Sequence, residues 1–258
     1  MSDFANRPAG ESDAGRSIVV VIPTFNEREN LQTLVPRVLA LGAEYRIIVV
    51  DDNSPDGTGD VADHLVTTNP GRVSVLHRPT KEGIGRAYIA GFGEALKTDA
   101  AFIVEMDADL SHDPDSLPAM IAAAELADLV LGSRYVPGGQ TVGWPLHRRA
   151  ISRLGGIYAR LVLGVPVADL TGGYKVFRRA ALEHLDLDQI RSDGYGFQIE
   201  TTYRLIRSGA RVVEVPITFA DRVAGASKLS RRIVFEAFFV VWKLRFDRQA
   251  VQPLPNQG

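Results

Sequence analysis

The sequence contains no cysteine and no long hydrophobic run, and each absence excludes a class of protein. Without cysteine the chain has no disulfide framework, no thiolate nucleophile and no Cys-ligated zinc or iron–sulfur site. The richest apolar stretch, residues 233–242, is about half the length that crosses a bilayer, and it contains Glu236. Because 29 Lys+Arg face 31 Asp+Glu, no general affinity for polyanions is indicated, and nucleic acid is not expected as a partner.

Two common nucleotide-binding motifs are also missing. The glycine pairs at 83 and 85 and at 91 and 93 are not followed by a third glycine at the dinucleotide-binding spacing, and no GxxxxGK[ST] occurs. A Rossmann dehydrogenase and a P-loop NTPase are therefore disfavoured. If a nucleotide binds, its phosphates must be neutralised in another way.

Short β-branched runs alternate with segments of helical period from residue 17 to residue 134, the pattern of successive βαβ units. This pattern predicts a single α/β domain with a mostly parallel, Rossmann-like sheet flanked by helices. We predict strands at 17–22, 45–50, 73–77, 101–106, 128–132, 174–178 and 212–219, with a last amphipathic helix over 229–246. Outside a domain of residues 17–246, we predict a disordered leader at 1–16, too acidic for a signal peptide, and a disordered tail at 247–258.

Acidic turns follow three of the predicted strands and are the first candidates for chemistry. They contain Glu27, the pair Asp51 and Asp52, and the pair Asp107 and Asp109. The carboxyl ends of parallel strands share one edge of the sheet, where ligands of such folds bind. An Asp-x-Asp segment is often only a turn, but it can also hold a hard divalent cation that keeps positions open for diphosphate oxygens. Because uncompensated carboxylates repel one another, we interpret the three turns as a cation site.

Six segments, in order along the chain, carry a resemblance to a known family. They are VIPTFNEREN (21–30), VVDDNSPDG (49–57), KEGIGRAYIAG (81–91), MDADLSH (106–112), GSRY (132–135) and RVAGASKL (222–229). Together they resemble the family-2 inverting glycosyltransferases, and within that family the dolichol- or polyprenol-phosphate mannose synthases. The resemblance covers about residues 17–246. It implies a GT-A fold, a GDP-mannose donor, a Mg²⁺ or Mn²⁺ ion, and a polyprenyl phosphate acceptor whose mannosylated product serves later cell-envelope or protein glycosylation.

The resemblance also assigns roles by position. It implies a nucleoside pocket lined by Pro23, Phe25, Glu27 and Asp52, with Asp107, Ala108 and Asp109 at the ribose, diphosphate and metal, and Ser111 as a third metal position. Phosphate contacts are implied for Arg134, Arg148, Arg222 and Lys228, and the implied catalytic set is Asp109, Arg134, Arg148 and Arg222. Three residues depart from the family pattern: Phe25 replaces a common Tyr, Ser111 a metal-binding Gln of some relatives, and Gln198 a Lys of some members.

A phosphate acceptor simplifies the chemistry that the chain must perform. With a second pKa of about 6, a phosphate monoester is already largely a dianion at neutral pH and needs no general base. One direct displacement at the anomeric carbon would then give a β-linked mannosyl phosphate. If the acceptor is a hydroxyl instead, Asp169, Asp193 and Glu200 are the candidate bases.

The stretch from residue 222 to residue 248 carries seven basic and two acidic residues around an apolar centre. This composition suits a helix in the interface of an anionic membrane, and equally a last helix packed on the sheet, and both can hold at once. We therefore predict a cytoplasmic protein, peripheral to the cytoplasmic face of a membrane and open to a membrane-anchoring protein partner. Two alternatives stay open: a transferase that uses UDP-glucose or another UDP-sugar, since no spacing identifies the base or the sugar, and a non-catalytic nucleotide-sensing or scaffold protein.

Overall fold

The computed structural model describes residues 17–221, 231–247 and 253–254, and it describes no side chain over 231–238. The predicted leader at 1–16 and the predicted phosphate-binding residues Arg222 and Lys228 lie outside the described residues. Within the predicted tail, the N–H of Leu254 donates a 2.8 Å hydrogen bond to the carbonyl of Ser208. No helix in the described part of the chain has both the length and the apolar character that crossing a membrane requires.

Strands and helices alternate along the first half of the chain, as the sequence predicts. The strands are β1 (Ile18–Thr24), β2 (Tyr45–Asp51), β3 (Val73–His77), β4 (Phe102–Glu105), β5 (Leu129–Ser133), β6 (Gln140–Val142), β7 (Lys175–Arg178), β8 (Val212–Pro216) and β9 (Thr218–Ala220). The helices are α1 (Arg28–Leu39), α2 (Thr58–Thr68), α3 (Ile84–Ala95), α4 (Leu117–Ala124), α5 (Leu146–Leu163), α6 (Arg179–His184), α7 (Gly194–Arg207) and α8 (Arg231–Phe246). Short 3₁₀ turns lie at Pro114–Ser116 and Leu187–Gln189.

The main sheet has seven strands in the order β3-β2-β1-β4-β7-β5-β8. All neighbours pair in parallel except β7, which is antiparallel to both β4 and β5. The sheet is buried on both faces, which explains the continuous apolar run of β1. The predicted fold class is confirmed, and the carboxyl ends of β1, β2, β4 and β5 lie along one edge.

The prediction of one strand over 212–219 is wrong. Strand β8 is an edge strand that tolerates Pro216, and its ladder with β5 ends where the N–H of Ile217 donates to the carbonyl of Ser133 and the Ile217 side chain enters the core. The following β9 leaves the main sheet and pairs in parallel with β6, which the sequence pattern did not indicate. This small second sheet brings residues 218–220 beside the loop after β4, where His112 and Phe219 form a bridge.

Two apolar layers hold the helices on the two faces of the main sheet. One layer contains the buried faces of α1, α2 and α4, and the other those of α3, α5, α6, α7 and α8. Val241 and Leu244 of α8 are buried in the second layer, which confirms that the last helix packs on the domain. Helix α3 lies close to β1 and β2 because Gly91 has no side chain: a Cβ there would stand 2.3 Å from Val21.

Candidate active site

The loops after β1, β2 and β4 share an unusual backbone feature. Each holds a non-glycine residue with positive φ: Asn26 at 62°, Asn53 at 56° and Leu110 at 62°. Asparagine tolerates this left-handed conformation, whereas leucine rarely adopts it, and such residues concentrate at functional sites. The backbone therefore marks the same sheet edge that the acidic turns indicate.

The predicted nucleoside-pocket residues come together at the ends of β1 and β2. The N–H of Asp52 donates a 3.1 Å hydrogen bond to the carbonyl of Thr24, which joins the two loops. Pro23 is buried, and the N–H of Glu27 donates to Thr58 Oγ1 at 3.0 Å. The Lys81 ammonium lies 3.6 Å from the centroid of the Phe25 ring, which is half-buried at the rim. The four residues thus lie on neighbouring loops at one edge of the sheet, with a cation beside the Phe25 ring, and the nucleoside pocket stays a prediction.

The acids after β2 are compensated by the protein itself. Ser54 donates its N–H and its hydroxyl to the Asp51 carboxylate, and Thr24 donates its hydroxyl at 3.3 Å. Asp52 is buried and forms an ion pair with Arg78. Burial raises the pKa of Asp52, and the charge of Arg78 opposes that shift. Asp51 and Asp52 therefore need no bound cation to coexist, and the loop after β4 is left as the candidate metal site.

That loop presents two carboxylates and a buried hydroxyl. Tyr88 donates its hydroxyl to Asp107 at 2.7 Å, and the N–H of Ser111 donates to Asp109 at 3.0 Å. Among the described residues, Ser111 Oγ is buried without a hydrogen-bond partner. Two carboxylates and an orphaned hydroxyl are hard oxygen donors, so the predicted set Asp107, Asp109 and Ser111 fits Mg²⁺ or Mn²⁺. The side chain of Ala108 packs in the core, which leaves only its backbone for ligand contact.

The described chain contains no cluster of three or more His, Asp or Glu side chains arranged for a metal ion. An ion at Asp107 and Asp109 would therefore need further oxygen ligands, which a diphosphate supplies. Two contacts of His112 fix the loop to the sheet: its Nδ1 accepts the N–H of Asp107 at 3.0 Å, and its ring stacks on Tyr174.

A buried charged network that the sequence analysis missed lies beneath this loop. Lys175 Nζ lies 3.8 Å from Glu105 Oε2 and donates to the carbonyl of Gln198 at 3.1 Å and to Thr201 Oγ1 at 3.0 Å. The amide of Gln198 donates in turn to Glu105. Burial raises the pKa of Glu105 to about 7 against the opposing charge of Lys175, and burial lowers the pKa of Lys175. The sequence carried one signal for this network, a charged residue at one end of each of two apolar strands: Glu105 ends β4 and Lys175 begins β7.

Arg134 follows β5 directly and is almost completely buried. Its Nε and Nη2 donate to the two oxygens of Asp169 at 2.7 Å, and Nη2 also donates to Thr171 at 2.9 Å. Burial acts to lower the pKa of Arg134, but the charge and hydrogen bonds of Asp169 raise it by more. The pKa therefore lies above its ordinary value, and the guanidinium stays charged. Three rings surround this guanidinium at 5.2–5.5 Å from carbon Cζ to ring centroid: Tyr135, Trp144 and Phe219. Its predicted contact with phosphate stays a prediction.

Arg148 lies in the first turn of α5 and faces the same aromatic cluster. Its Cζ is 4.1 Å from the Trp144 centroid, and its Nη1 donates to Asp221 at 2.7 Å. The Tyr135 hydroxyl, next to Arg134, donates to Ser152 Oγ at 2.7 Å, and this hydrogen bond joins the loop after β5 to α5. The structure therefore brings Arg134 and Arg148 together around one indole.

The acids that would act as bases toward a hydroxyl acceptor all have structural partners. Asp169 holds Arg134, Glu200 pairs with Arg204 at 2.8 Å, and Asp193 accepts the N–H of Gly85 at 2.7 Å. Asp193 therefore fixes the start of α3, and Glu200 holds a neighbouring turn of its own helix.

Comparison with known proteins agrees with this geometry. Residues 19–186 match the family described as "Glycosyl transferase family 2". The chain is 49% identical over 230 residues to the polyprenol monophosphomannose synthase of Mycolicibacterium smegmatis, covering 88% of this chain and 87% of that one. It is 50% identical over 220 residues to the undecaprenyl-phosphate mannosyltransferase of Micrococcus luteus, covering 85% and 90%. It is 38% identical over 232 residues to the dolichol-phosphate mannosyltransferase of Pyrococcus furiosus, covering 88% and 63%.

Solved structures support the fold. Glucosyl-3-phosphoglycerate synthase from Mycobacterium tuberculosis, in complex with phosphoglyceric acid, aligns with a TM-score of 0.66 at 19% identity and covers 98% of this chain and 88% of that one. Its complex with Mn²⁺, UDP-glucose and phosphoglyceric acid aligns with a TM-score of 0.65 and the same coverage. The family that the six motifs predict is thus confirmed: the chain belongs to glycosyl transferase family 2 and is a glycosyltransferase of GT-A fold.

Proposed function

We propose that this enzyme transfers mannose from GDP-mannose to a polyprenyl phosphate, with inversion at the anomeric carbon. The observation that carries the proposal is the similarity to two relatives, at 49% and 50% identity over most of both chains, that are named for mannose transfer to polyprenol or undecaprenyl phosphate. A third relative is named for dolichol phosphate, an acceptor of the same chemical class. The mannosylated lipid would serve later glycosylation of the cell envelope or of proteins.

The donor side of the proposed site is the loop after β4. Asp107, Asp109 and Ser111 would hold Mg²⁺ or Mn²⁺. A solved structure of the same fold, the glucosyl-3-phosphoglycerate synthase that is 19% identical to this chain, contains Mn²⁺ and UDP-glucose. When bound, such an ion neutralises the charge of the donor diphosphate. The chain prepares this loop in advance: Tyr88 fixes Asp107, and the N–H of Ser111 fixes Asp109, so neither carboxylate needs to reorient during the reaction.

The acceptor side is the cluster of Arg134, Trp144 and Arg148. Arg134 and Arg148 already pair with Asp169 and Asp221, and their remaining N–H donors would bind the acceptor phosphate and so reduce its repulsion from the donor diphosphate, the main electrostatic obstacle to the reaction. Because the acceptor is already a dianion, its oxygen attacks without help from a base, and the single displacement inverts the sugar. The roles predicted for Arg222 and Lys228 remain predictions.

The exposed face of α5 and α8 suits the lipid part of the acceptor. Large apolar side chains stand exposed on both helices: Leu146, Leu154, Ile157 and Leu161 on α5, and Phe239, Trp242 and Phe246 on α8. Spacings of three, four and eight residues place each set on one side of its helix, and the two helices touch through Tyr158 and Trp242. Basic residues flank the α5 set at positions 149, 153 and 160. We therefore propose that this face docks on the cytoplasmic face of an anionic membrane or on a membrane-anchoring protein partner.

A donor comparison tests the proposed reaction. The purified chain is supplied with a short polyprenyl phosphate, with GDP-mannose or UDP-glucose, and with MgCl₂, MnCl₂ or excess chelator. We expect a β-linked mannosyl lipid from GDP-mannose alone and its loss in chelator, measured by mass spectrometry and by the anomeric NMR coupling. Product from UDP-glucose alone would show that the donor is UDP-glucose and not GDP-mannose. Inactivity with every donor and metal would favour the non-catalytic alternative.

A further inference from the structure

The indole N–H of Trp144 is a buried donor with no acceptor among the described residues. Trp144 is 9% exposed and lies in the segment just before α5. Its ring packs edge-on against Phe219 at 5.4 Å, and Phe219 packs edge-on against His112, also at 5.4 Å. Buried tryptophan N–H groups normally find a partner, and an unsatisfied one is costly. The position of this group therefore calls for an acceptor that arrives from outside the described chain.

A second unsatisfied donor lies beside the first. Arg148 Nε is also buried without a partner in the described chain, although Nη1 of the same group is paired with Asp221. The Arg148 guanidinium stacks on the Trp144 ring at 4.1 Å, and Arg134 lies 5.5 Å from the same centroid. An indole nitrogen can only donate, so its partner must be an acceptor. Arg134 and Arg148 each pair with a carboxylate, but Arg148 Nε remains a charged donor without a partner in the described chain, which favours an anionic acceptor.

We propose that Trp144 Nε1–H and Arg148 Nε–H donate hydrogen bonds to the phosphate of the acceptor lipid, which makes Trp144 an acceptor-binding residue. The inference deepens the proposed function and rests on its assignment of a phosphate monoester as acceptor. The indole and the donor loop are linked through two rings, because His112 accepts the N–H of Asp107 and Phe219 packs against both His112 and Trp144, so a phosphate at the indole would lie beside the donor diphosphate and not on Asp107 or Asp109. The exposed apolar face of α5 begins at Leu146, two residues after Trp144, so a lipid on that face would bring its phosphate to the indole.

The chain has only two tryptophans, so the proposed hydrogen bond can be observed directly. In ¹⁵N-labelled protein the two indole N–H signals are assigned with Trp242→Phe, whose remaining signal is that of Trp144. We expect farnesyl phosphate to move the Trp144 signal downfield in a saturable way and to slow its exchange with water. Farnesol should leave the signal in place, inorganic phosphate should move it only at much higher concentration, and GDP with Mg²⁺ should not move it. A signal that neither phosphate ligand moves, or that GDP alone moves, overturns the proposal.

A kinetic variant gives an independent readout. Trp144→Phe keeps an aromatic ring and removes the N–H, and we expect the KM for polyprenyl phosphate to rise by about tenfold while the KM for GDP-mannose stays unchanged. Tyr203→Phe is the matched control, since it removes a polar hydrogen from another buried aromatic side chain, on α7, and should change neither KM. Thermal unfolding verifies that both variants fold.

The two hypotheses fail in different ways. If wild-type protein makes the mannosyl lipid and Trp144→Phe has an unchanged acceptor KM, the inference about Trp144 is wrong and the proposed function stands. If wild-type protein transfers no sugar but farnesyl phosphate still moves the Trp144 signal, the phosphate contact stands and the proposed function is wrong.

Discussion

Asp109 is the residue on which the donor side of the site depends most. It is 6% exposed, its carboxylate is fixed by the N–H of Ser111, and the hydroxyl of Ser111 is left without a partner in the described chain. We predict that Asp109→Asn, which keeps the shape and removes the charge, lowers the transfer rate by about 100-fold or more and weakens activation by Mn²⁺. Initial rates over a Mn²⁺ titration measure both effects.

Asp113→Asn is the control for this prediction. Asp113 accepts the N–H of Asp115 at 3.3 Å as the cap of the turn at Pro114–Ser116, and it also pairs with Arg37. Its substitution should leave the rate within about threefold of wild type, since an exposed pair contributes little. If Asp109→Asn retains activity comparable to that of Asp113→Asn, the assignment of the metal site to this loop is wrong.

The Arg134–Asp169 pair makes a prediction about stability and pH. Burial alone would raise the pKa of Asp169, but the charge and hydrogen bonds of Arg134 outweigh it and hold the pKa below its ordinary value. A carboxylate with a depressed pKa stabilises the fold above its unfolded-state pKa, and this contribution is lost as pH falls through the folded-state pKa. Asp169→Asn leaves a buried guanidinium unpaired and should cost about 3–5 kcal/mol at pH 7.

Chemical denaturation at several pH values measures this contribution. The difference in unfolding free energy between wild type and Asp169→Asn should shrink below about pH 4, where the carboxylate of the unfolded chain is protonated. Asp99→Asn is the control, because Asp99 pairs with Arg46 at the surface and its removal should leave the denaturation midpoint nearly unchanged. A difference between Asp169→Asn and wild type that is constant across pH would contradict the assignment to this ion pair.

The packing of the first half of the molecule requires α3 to lie close to β1 and β2 of the sheet. A Cβ on Gly91 would stand 2.3 Å from Val21 and 2.9 Å from Val50, whereas a Cβ on Gly93 of the same helix would meet nothing within 4 Å. We predict that Gly91→Ala destabilises the protein by about 1–3 kcal/mol through overpacking. Gly93→Ala should stabilise it by up to about 1 kcal/mol, since alanine is the better helix former. Thermal or urea unfolding of the two variants tests the difference, and a Gly91→Ala protein as stable as Gly93→Ala would show that α3 can move away without cost.

The same elements show which parts of the fold can be predicted from the sequence. The run from β1 to β5 was predicted because each strand and helix carries its own local period and each acidic turn follows a strand directly. The insertion of β7 between β4 and β5 was not, because strand order depends on contacts between distant segments. For that reason the pairing of Glu105 with Lys175, the capture of Arg134 by Asp169 and the cluster around Trp144 could be found only in the structure.

At the scale of the whole molecule, the balanced charge conceals an uneven surface. The formal net charge is −2, yet α5 presents Arg149, Arg153 and Arg160 beside its exposed apolar side chains. The site and this surface are also continuous, because Arg148 in the first turn of α5 belongs to the proposed acceptor cluster. The proposed reaction would need this arrangement, since the acceptor phosphate would have to reach the site while its isoprenoid chain stayed in the membrane.

Vesicle binding tests this arrangement with substitutions that leave the core intact. Leu154 and Leu161 are 65% and 71% exposed on α5, so Leu154→Glu with Leu161→Glu removes apolar contact and adds negative charge without opening a cavity. We predict that the double variant binds vesicles containing anionic lipid at least about tenfold more weakly than wild type, since each leucine buried in the interface contributes about 1.5–3 kcal/mol. Leu126→Glu is the matched control, because Leu126 is 69% exposed just beyond α4 and lies outside α5 and α8. Flotation of all three proteins, with and without high salt, measures the binding. Equal flotation of the double variant and the Leu126 control would assign the membrane contact to another surface, and salt-independent binding would remove the role given to the arginines.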